Sequence, residues 1–112
     1  MIKLDSSSVK VRTLSLKKGK IAQGIEASWG GPHPGQWVAI TCARGMIGCG
    51  AFDVELMEEH EQVLAVAHGS AEDHLITCED LLNATITGVT KLAKELGVKE
   101  GMTAMDAAVL LS

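Results

Sequence analysis

The chain has 112 residues, of which 46% are hydrophobic, 21% charged and 3% aromatic, and its formal net charge is −4. This hydrophobic fraction excludes a disordered tail, and no apolar run approaches the roughly 18 residues that a membrane-spanning helix requires. Because Lys17, Lys18 and Lys20 form the only basic cluster, the sequence predicts neither a nucleic-acid-binding face nor a membrane partner.

The first half of the chain has the period-two alternation that is typical of half-buried β-strands. Lys17–Lys20 and Ala43–Gly45 predict tight turns, and the Gly- and Pro-rich segment Gly30–Gly35 predicts a loop. The pattern therefore predicts two antiparallel hairpins, with strands at Val9–Leu16, Ile21–Trp29, Gln36–Cys42 and Met46–Phe52.

The second half predicts helices and one further strand. Asp53 is a good N-cap for a short acidic helix that ends near Glu61, and Gln62–Ala67 predicts a short buried strand. Thr77 begins a sequence close to a capping box, which predicts a helical turn through Leu82.

The C-terminal region contains two further helical patterns. Apolar residues recur at helical spacing over 86–96, and Gly97 predicts the end of that helix. Thr103 repeats the capping pattern before a last helix at Ala104–Leu111. We therefore predict a single α+β domain over residues 1–112, with an antiparallel sheet of four to five strands packed against two to three helices.

The cysteines indicate a reducing compartment. The chain contains an odd number of cysteines, none of them in CxxC spacing, which favours free thiols. They are Cys42, Cys49 and Cys78. The first twenty residues contain no continuous apolar stretch, so we expect no secretory signal. A cytoplasmic location follows from these two expectations.

The glycine run in the fourth predicted strand marks a candidate site. Gly48 and Gly50 would share one face of that strand with Phe52, and the two glycines would leave the backbone bare. A helix of the same chain, a second subunit or a small ligand could each cover such a face. The run does not predict a phosphate-binding loop, because it lies in a hairpin and is followed by the carboxylate of Asp53.

Cys49 would lie on the opposite, apolar face, where a structural thiol is the simplest interpretation. Cys42 shares that face only if facing residues of the hairpin sum to an odd number, and one bulge at the turn would reverse this parity. A redox pair or a soft-metal site needs the odd register together with an activated thiolate.

His68 directly follows a predicted buried strand, where either a ligand contact or a structural role is possible. His74 and Cys78 are four residues apart, but the predicted cap at Thr77 separates them. No zinc-ligand spacing and no nucleophile motif is present, so we predict no metal, no cofactor and no catalytic residue. The candidate ligand or interface residues are Gly48, Cys49, Gly50, Asp53, His68 and Asn83.

Several short motifs occur in a fixed order along the chain, namely RGMIGCGAFD at Arg44–Asp53, TCEDLLN at Thr77–Asn83, and the segments Val89–Val98 and Gly101–Ala107. Together they resemble the YunC-like domain, a small bacterial and archaeal family of unknown function. The resemblance covers residues 36–112 and implies that Cys49–Gly50 and Leu81–Asn83 occupy recurring positions. It implies no reaction, because the family has no established catalytic residues.

The sequence favours a non-catalytic domain that binds a small molecule or assembles with copies of itself. This interpretation uses Gly48, Gly50, Asp53 and Asn83, and it expects self-association and a small-molecule ligand as partners. The alternative is a thiol-dependent redox or metal-binding enzyme centred on Cys49, with Cys42 and His68 as helpers. Thiol reactivity and metal content would distinguish the two.

Overall fold

The computed structural model describes residues 7–70, 72 and 74–112 and contains a six-stranded sheet with its strands in chain order. The strands are β1 Ser7–Ser15, β2 Ile21–Trp29, β3 Gly35–Cys42, β4 Gly45–Gly48, β5 Leu64–Ala67 and β6 Ile86–Val89. The helices are α1 Val54–Glu59, α2 Cys78–Leu82, α3 Lys91–Glu95 and α4 Ala104–Leu111. The predicted α+β class is confirmed, with more strands and helices in the described part of the chain than we expected.

All neighbouring strands are antiparallel except β4 and β5, which run parallel. The predicted hairpin β1–β2 is confirmed, and its turn contains a short 3-10 segment at Lys17–Gly19. In the β3–β4 hairpin, Cys42 faces Gly45 across a two-residue turn. Helix α1 connects the two parallel strands, because such strands cannot be joined by a tight turn.

The fourth strand is shorter than predicted. It ends at Gly48, although the amide of Cys49 still donates to the carbonyl of Val38 at 3.1 Å. The chain then turns, and the amide of Phe52 donates to the carbonyl of Cys49 at 3.1 Å. The prediction that Gly50 continues the strand face of Gly48 is therefore wrong, because the backbone has left the sheet at that point.

The helix predicted over 86–96 is also wrong in its first part. Ile86–Val89 forms β6 and pairs antiparallel with β5, and only Lys91–Glu95 is helical. Thr90 separates the two elements as the N-cap of α3. By contrast, the predicted caps Asp53, Thr77 and Thr103 each accept a backbone hydrogen bond at the start of their helix.

The sheet carries helices on both faces. One face packs against α2 and α4, and its main core side chains are Leu14, Val38, Ile40, Ile47, Ala65, Leu81, Ile86, Ala104, Ala108 and Leu111. On the other face, the ring of Phe52 covers Gly48 and α1 brings Val54 against Gly88. No helix in the described part of the chain has the length and hydropathy needed to cross a membrane.

Thr90 is buried, with 1% of its surface exposed, and joins β5 to α3. Its hydroxyl oxygen accepts from the amide of Leu64 at 3.1 Å and from the amide of Ala93 at 3.4 Å. The amide of Thr90 in turn donates to the carbonyl of Leu64 at 2.9 Å. A single hydroxyl therefore satisfies the first amide of β5 and also caps a helix.

We predict that Thr90→Val lowers the free energy of unfolding by about 2 kcal/mol, because the new side chain keeps the shape but leaves a buried amide unpaired. Urea denaturation followed by circular dichroism measures this change. Thr41→Val is the matched control, since Thr41 is exposed on β3, and it should alter stability by less than about 0.5 kcal/mol. Equal effects of the two substitutions would contradict the role of Thr90.

Candidate functional site

Four strand ends meet at one edge of the sheet. The parallel strands β4 and β5 both end there, and the chain leaves them at Cys49 and His68. The antiparallel neighbours β3 and β6 begin at the same edge, which brings Gln36 and Thr87 to it. The carboxyl ends of parallel strands are a common location for ligands in open sheets, so this edge is the candidate site.

Two adjoining cavities open at this edge, and we call them together the groove. The first has a volume of about 320 Å³, and its polar side chains include His68, Asp80 and Asn83. The second has a volume of about 250 Å³ and is lined by Gln36, Cys49 and Gly50 among others. Gly69, Ser70 and Leu75 line both cavities. Even without the second, the first cavity is large enough to fall within the usual size range of small-molecule sites.

His68 is exposed but held in one orientation. Its Nδ1 lies 2.6 Å from the hydroxyl oxygen of Thr87, and that hydroxyl donates to the carbonyl of Val66 at 3.2 Å. Both contacts are satisfied together only when Nδ1 carries the proton and donates to Thr87. In the neutral form of the ring, this arrangement leaves the lone pair on Nε2, which can accept a hydrogen bond from a ligand.

Gly50 permits the close approach of this imidazole to the backbone. A Cβ atom at position 50 would lie 2.6 Å from Cδ2 of His68 and 3.1 Å from its Nε2. Gly48 has a different role, because a Cβ atom there would lie 2.4 Å from Cδ2 of Phe52. The bare backbone at Gly48 is thus covered by this chain itself, and only Gly50 belongs to the groove.

Asp80 supplies a negative charge to the groove. One of its carboxylate oxygens accepts from the amides of Thr77 at 3.0 Å and Ile76 at 3.1 Å, while Thr77 accepts from the amide of Asp80 at 3.0 Å. These contacts complete the capping box that the sequence predicted. The backbone hydrogen bonds from Thr77 and then Ile76 hold the pKa of Asp80 below its usual value, which favours the ionised carboxylate.

The remaining predicted residues divide between the groove and the helix ends. Asn83 lies at the C-cap of α2, is exposed and lines the first cavity. Asp53 accepts from the amide of Leu56 at 3.2 Å as the cap of α1, and it lines neither groove cavity. Cys49 is 7% exposed and lines the second cavity.

Sequence reasoning missed Gln36, which lines the second cavity, and Thr87, which lines neither cavity but holds the ring of His68. The side-chain oxygen of Gln36 is buried and has no hydrogen-bond partner among the described residues. A buried polar atom without a partner is destabilising, so this amide is a candidate contact for a ligand. Thr87 escaped notice because its segment was predicted as a helix, where its side chain would not have faced His68.

The cysteines do not form the pair that the thiol alternative requires. Cys42 faces Gly45, so the numbers of facing residues sum to an odd number. The side chains of Cys42 and Cys49 therefore share a face of the sheet. However, the backbone amide of Cys49 donates to the carbonyl of Val38, so Cys49 lies beside Val38. Val38 is four residues from Cys42 along β3, a separation of about 13 Å. Among residues 7–70, 72 and 74–112, no group of three or more His, Cys, Asp or Glu side chains could hold a metal ion.

Comparisons with known proteins place the chain among uncharacterised relatives. A family model described as a domain of unknown function (DUF1805) matches residues 48–111. The uncharacterized protein YunC of Bacillus subtilis (strain 168) is 35% identical over 71 residues, which are 63% of this chain and 69% of that protein. A crystal structure of a protein of unknown function, TA1206 from Thermoplasma acidophilum, covers 99% of this chain and 100% of its own with a TM-score of 0.81. At 16% identity, this last likeness shows a shared fold alone.

We predict that Cys42 and Cys78 react slowly in the native protein. Burial raises the pKa of each thiol to about 11, whereas an unperturbed thiol has a pKa near 8.5. At pH 8, alkylation by iodoacetamide should therefore be about two orders of magnitude slower in the native protein than in denaturant. Peptide mapping by mass spectrometry resolves the two sites, and equal native and denatured rates would contradict the prediction.

The same pKa difference makes stability depend on pH. The unfolded thiols lose protons at lower pH than the folded ones, so the unfolded state binds fewer protons between about pH 8.5 and 11. The contribution of both thiols to stability should therefore fall as pH rises through that window. Cys42→Ser and Cys78→Ser should each flatten the slope of unfolding free energy against pH.

Proposed function

The chain belongs to the domain-of-unknown-function family DUF1805, and we propose that it is a non-catalytic domain whose groove binds a small polar molecule. The observation that carries this proposal is the fixed orientation of His68. An exposed imidazole would ordinarily sample several rotamers, but this one is bonded to Thr87 and lies against the backbone at Gly50. A side chain held in place before the ligand arrives loses less conformational entropy on binding.

The composition of the groove supports binding of a polar rather than an apolar molecule. Its walls present the imidazole of His68, the carboxylate of Asp80 and the amide of Asn83. The side chain of Gln36 lines the second cavity, and its oxygen is buried without a described partner. A few convergent polar groups in a concave site are what orients a small ligand.

Gly50→Ala tests the proposed function, because the added methyl group would collide with the ring of His68. The wild-type protein is titrated with a set of small polar fragments that includes cations, neutral polyols and anions, and amide and imidazole resonances are followed by NMR. We expect at least one fragment to shift the resonances of His68, Thr87 and Asn83 in the wild type. Gly50→Ala should weaken that binding at least tenfold, since the ring and its bond to Thr87 are displaced.

Gly88→Ala is the control for this substitution. A Cβ atom at position 88 would meet only a methyl group of Val54 at 3.2 Å, on the face of the sheet that carries α1. It should leave fragment binding within about twofold of the wild type. If no fragment of any charge shifts the groove resonances, the proposed function is wrong.

Self-association is a second proposal, and it rests on a part of the sheet that none of the helices given above covers. We call the side chains of β1 and β2 that point away from Arg12 and Glu26 the open face. Ala27 on this face is buried, and the members that are exposed or half-buried include Val9, Val11, Thr13, Ile21, Gln23, Ile25 and Trp29. Four of these are large hydrophobic residues that remain exposed: Val9 at 70%, Val11 at 64%, Ile21 at 62% and Trp29 at 44%.

We propose that a second copy of this chain covers the open face. The charged residues of β1 and β2, namely Lys10, Arg12 and Glu26, all point to the opposite face, so the open face is uncharged. Two such faces can pack about a two-fold axis without burying a charge, and depletion of charge is typical of interface cores. Sheets that pack face to face commonly do so at about −30°.

Val11→Lys tests this second proposal by placing a charge at the centre of the open face. Sedimentation velocity should show a dimer for the wild type and at least a tenfold weaker association for Val11→Lys, because the new ammonium group would be buried without a partner. Ser8→Lys adds the same charge to the same strand on its other face and should leave association unchanged. A wild type that stays monomeric up to millimolar concentration would contradict self-association through this face.

A further inference from the structure

We propose that the groove selects a small cationic ligand, a compound with a primary ammonium group, which Asp80 and His68 hold. This inference rests on the proposed function and specifies the chemical class of its ligand. It depends on the signs of the charges in the groove and on which hydrogen-bonding groups remain available there.

The described charges in the groove favour a cation. Asp80 contributes a carboxylate to the first cavity, His74 lines the second, and no Lys or Arg is among the described residues that line either cavity. Arg12, which lies near the start of α2, is already bonded to Glu79 at 2.7 Å and to Glu26 at 3.2 Å. An anion in the groove would therefore meet a negative charge without a compensating arginine or lysine.

Asp80 and His68 each offer an acceptor to the first cavity, whereas the side-chain amide of Asn83 can both donate and accept. The contact with Thr87 uses the proton on Nδ1 of His68, so that Nε2 is the acceptor in the neutral form of the ring. One carboxylate oxygen of Asp80 is occupied by two backbone amides, and no described contact occupies the other. An ammonium group has three donors and no acceptor, so it complements this set.

A bare divalent cation fits the groove less well than an organic ammonium. Calcium takes six to eight oxygen ligands, and magnesium demands near-octahedral geometry. The described residues of the groove offer a single carboxylate, and the described part of the chain contains no cluster of three potential ligands. An ammonium group needs only one carboxylate and one or two neutral acceptors, which is what the groove presents.

Three two-carbon compounds that differ at one end test the inference: ethanolammonium, ethylene glycol and glycolate. Each is titrated into the wild-type protein at neutral pH and low salt, and the resonances of His68 and Asn83 are followed by NMR. We expect ethanolammonium to bind at least tenfold more tightly than glycolate, with ethylene glycol between them. Added sodium chloride should weaken the binding of ethanolammonium and leave that of ethylene glycol unchanged, because only the first depends on charge.

Asp80→Asn removes the charge while keeping an oxygen that can accept from the amides of Ile76 and Thr77. It should lower the affinity for ethanolammonium about tenfold and leave ethylene glycol within twofold. The matched control is Asp106→Asn, because Asp106 occupies the same position in the first turn of α4 and lines neither cavity of the groove. This control should bind all three compounds as the wild type does.

The outcomes separate this inference from the proposed function. If glycolate binds in the groove as tightly as ethanolammonium, the ammonium assignment is overturned while the groove remains a binding site. If ethanolammonium binds equally well to Asp80→Asn, the role of Asp80 is overturned. If none of the three compounds nor the wider fragment set shifts the groove resonances, both the inference and the proposed function are wrong. The salt dependence in the wild type keeps the test decisive even where Asp80→Asn lowers the melting temperature.

Discussion

The parallel pairing of β4 with β5 is the constraint on which the rest of the structure depends. All other neighbouring strands are antiparallel, so this one pair decides which ends of the strands lie side by side. The crossover through α1 returns the chain to the end of the sheet at which β4 began. Both strands therefore run in the same direction and end on the same side. Cys49–Gly50 and His68 thereby become neighbours, although eighteen positions separate Gly50 from His68 in the chain. An antiparallel return at this point would have sent His68 to the opposite end of the sheet.

Local signals in the sequence were sufficient for much of the fold. The caps Asp53, Thr77 and Thr103 were predicted because a short polar side chain before an apolar pattern satisfies free amides at a helix start. Helix α4 has the bounds that its cap and apolar pattern predicted. The segment Ile86–Val89 was misassigned because apolar residues three positions apart fit a helix, whereas pairing with β5 decides in favour of a strand.

The candidate site was predictable only in part, because local patterns do not show which strands pair with each other. Gly50 and His68 were identified from glycine content and a strand end, which are local features, whereas Asn83 was identified from the family resemblance and lies at the end of α2. The contributions of Thr87 and Gln36 depend on which strands are neighbours and in which register, and no local pattern carries that information. The same limit applies to Gly48, whose bare backbone is covered by Phe52 once the chain turns out of the sheet.

The hairpin β1–β2 and the groove are connected through the start of α2. Glu26 on β2 accepts from the amide of Cys78 at 2.8 Å and from Arg12 at 3.2 Å, and Arg12 also bonds to Glu79. These contacts lie on the side of the hairpin opposite the open face, and they fix the helix that carries Asp80 and Asn83. A site positions its ligand only when its own side chains are supported by neighbours, and α2 is too short to hold its place without such bonds. Arg12 and Glu26 therefore hold the start of α2 from the face of the hairpin opposite the open face.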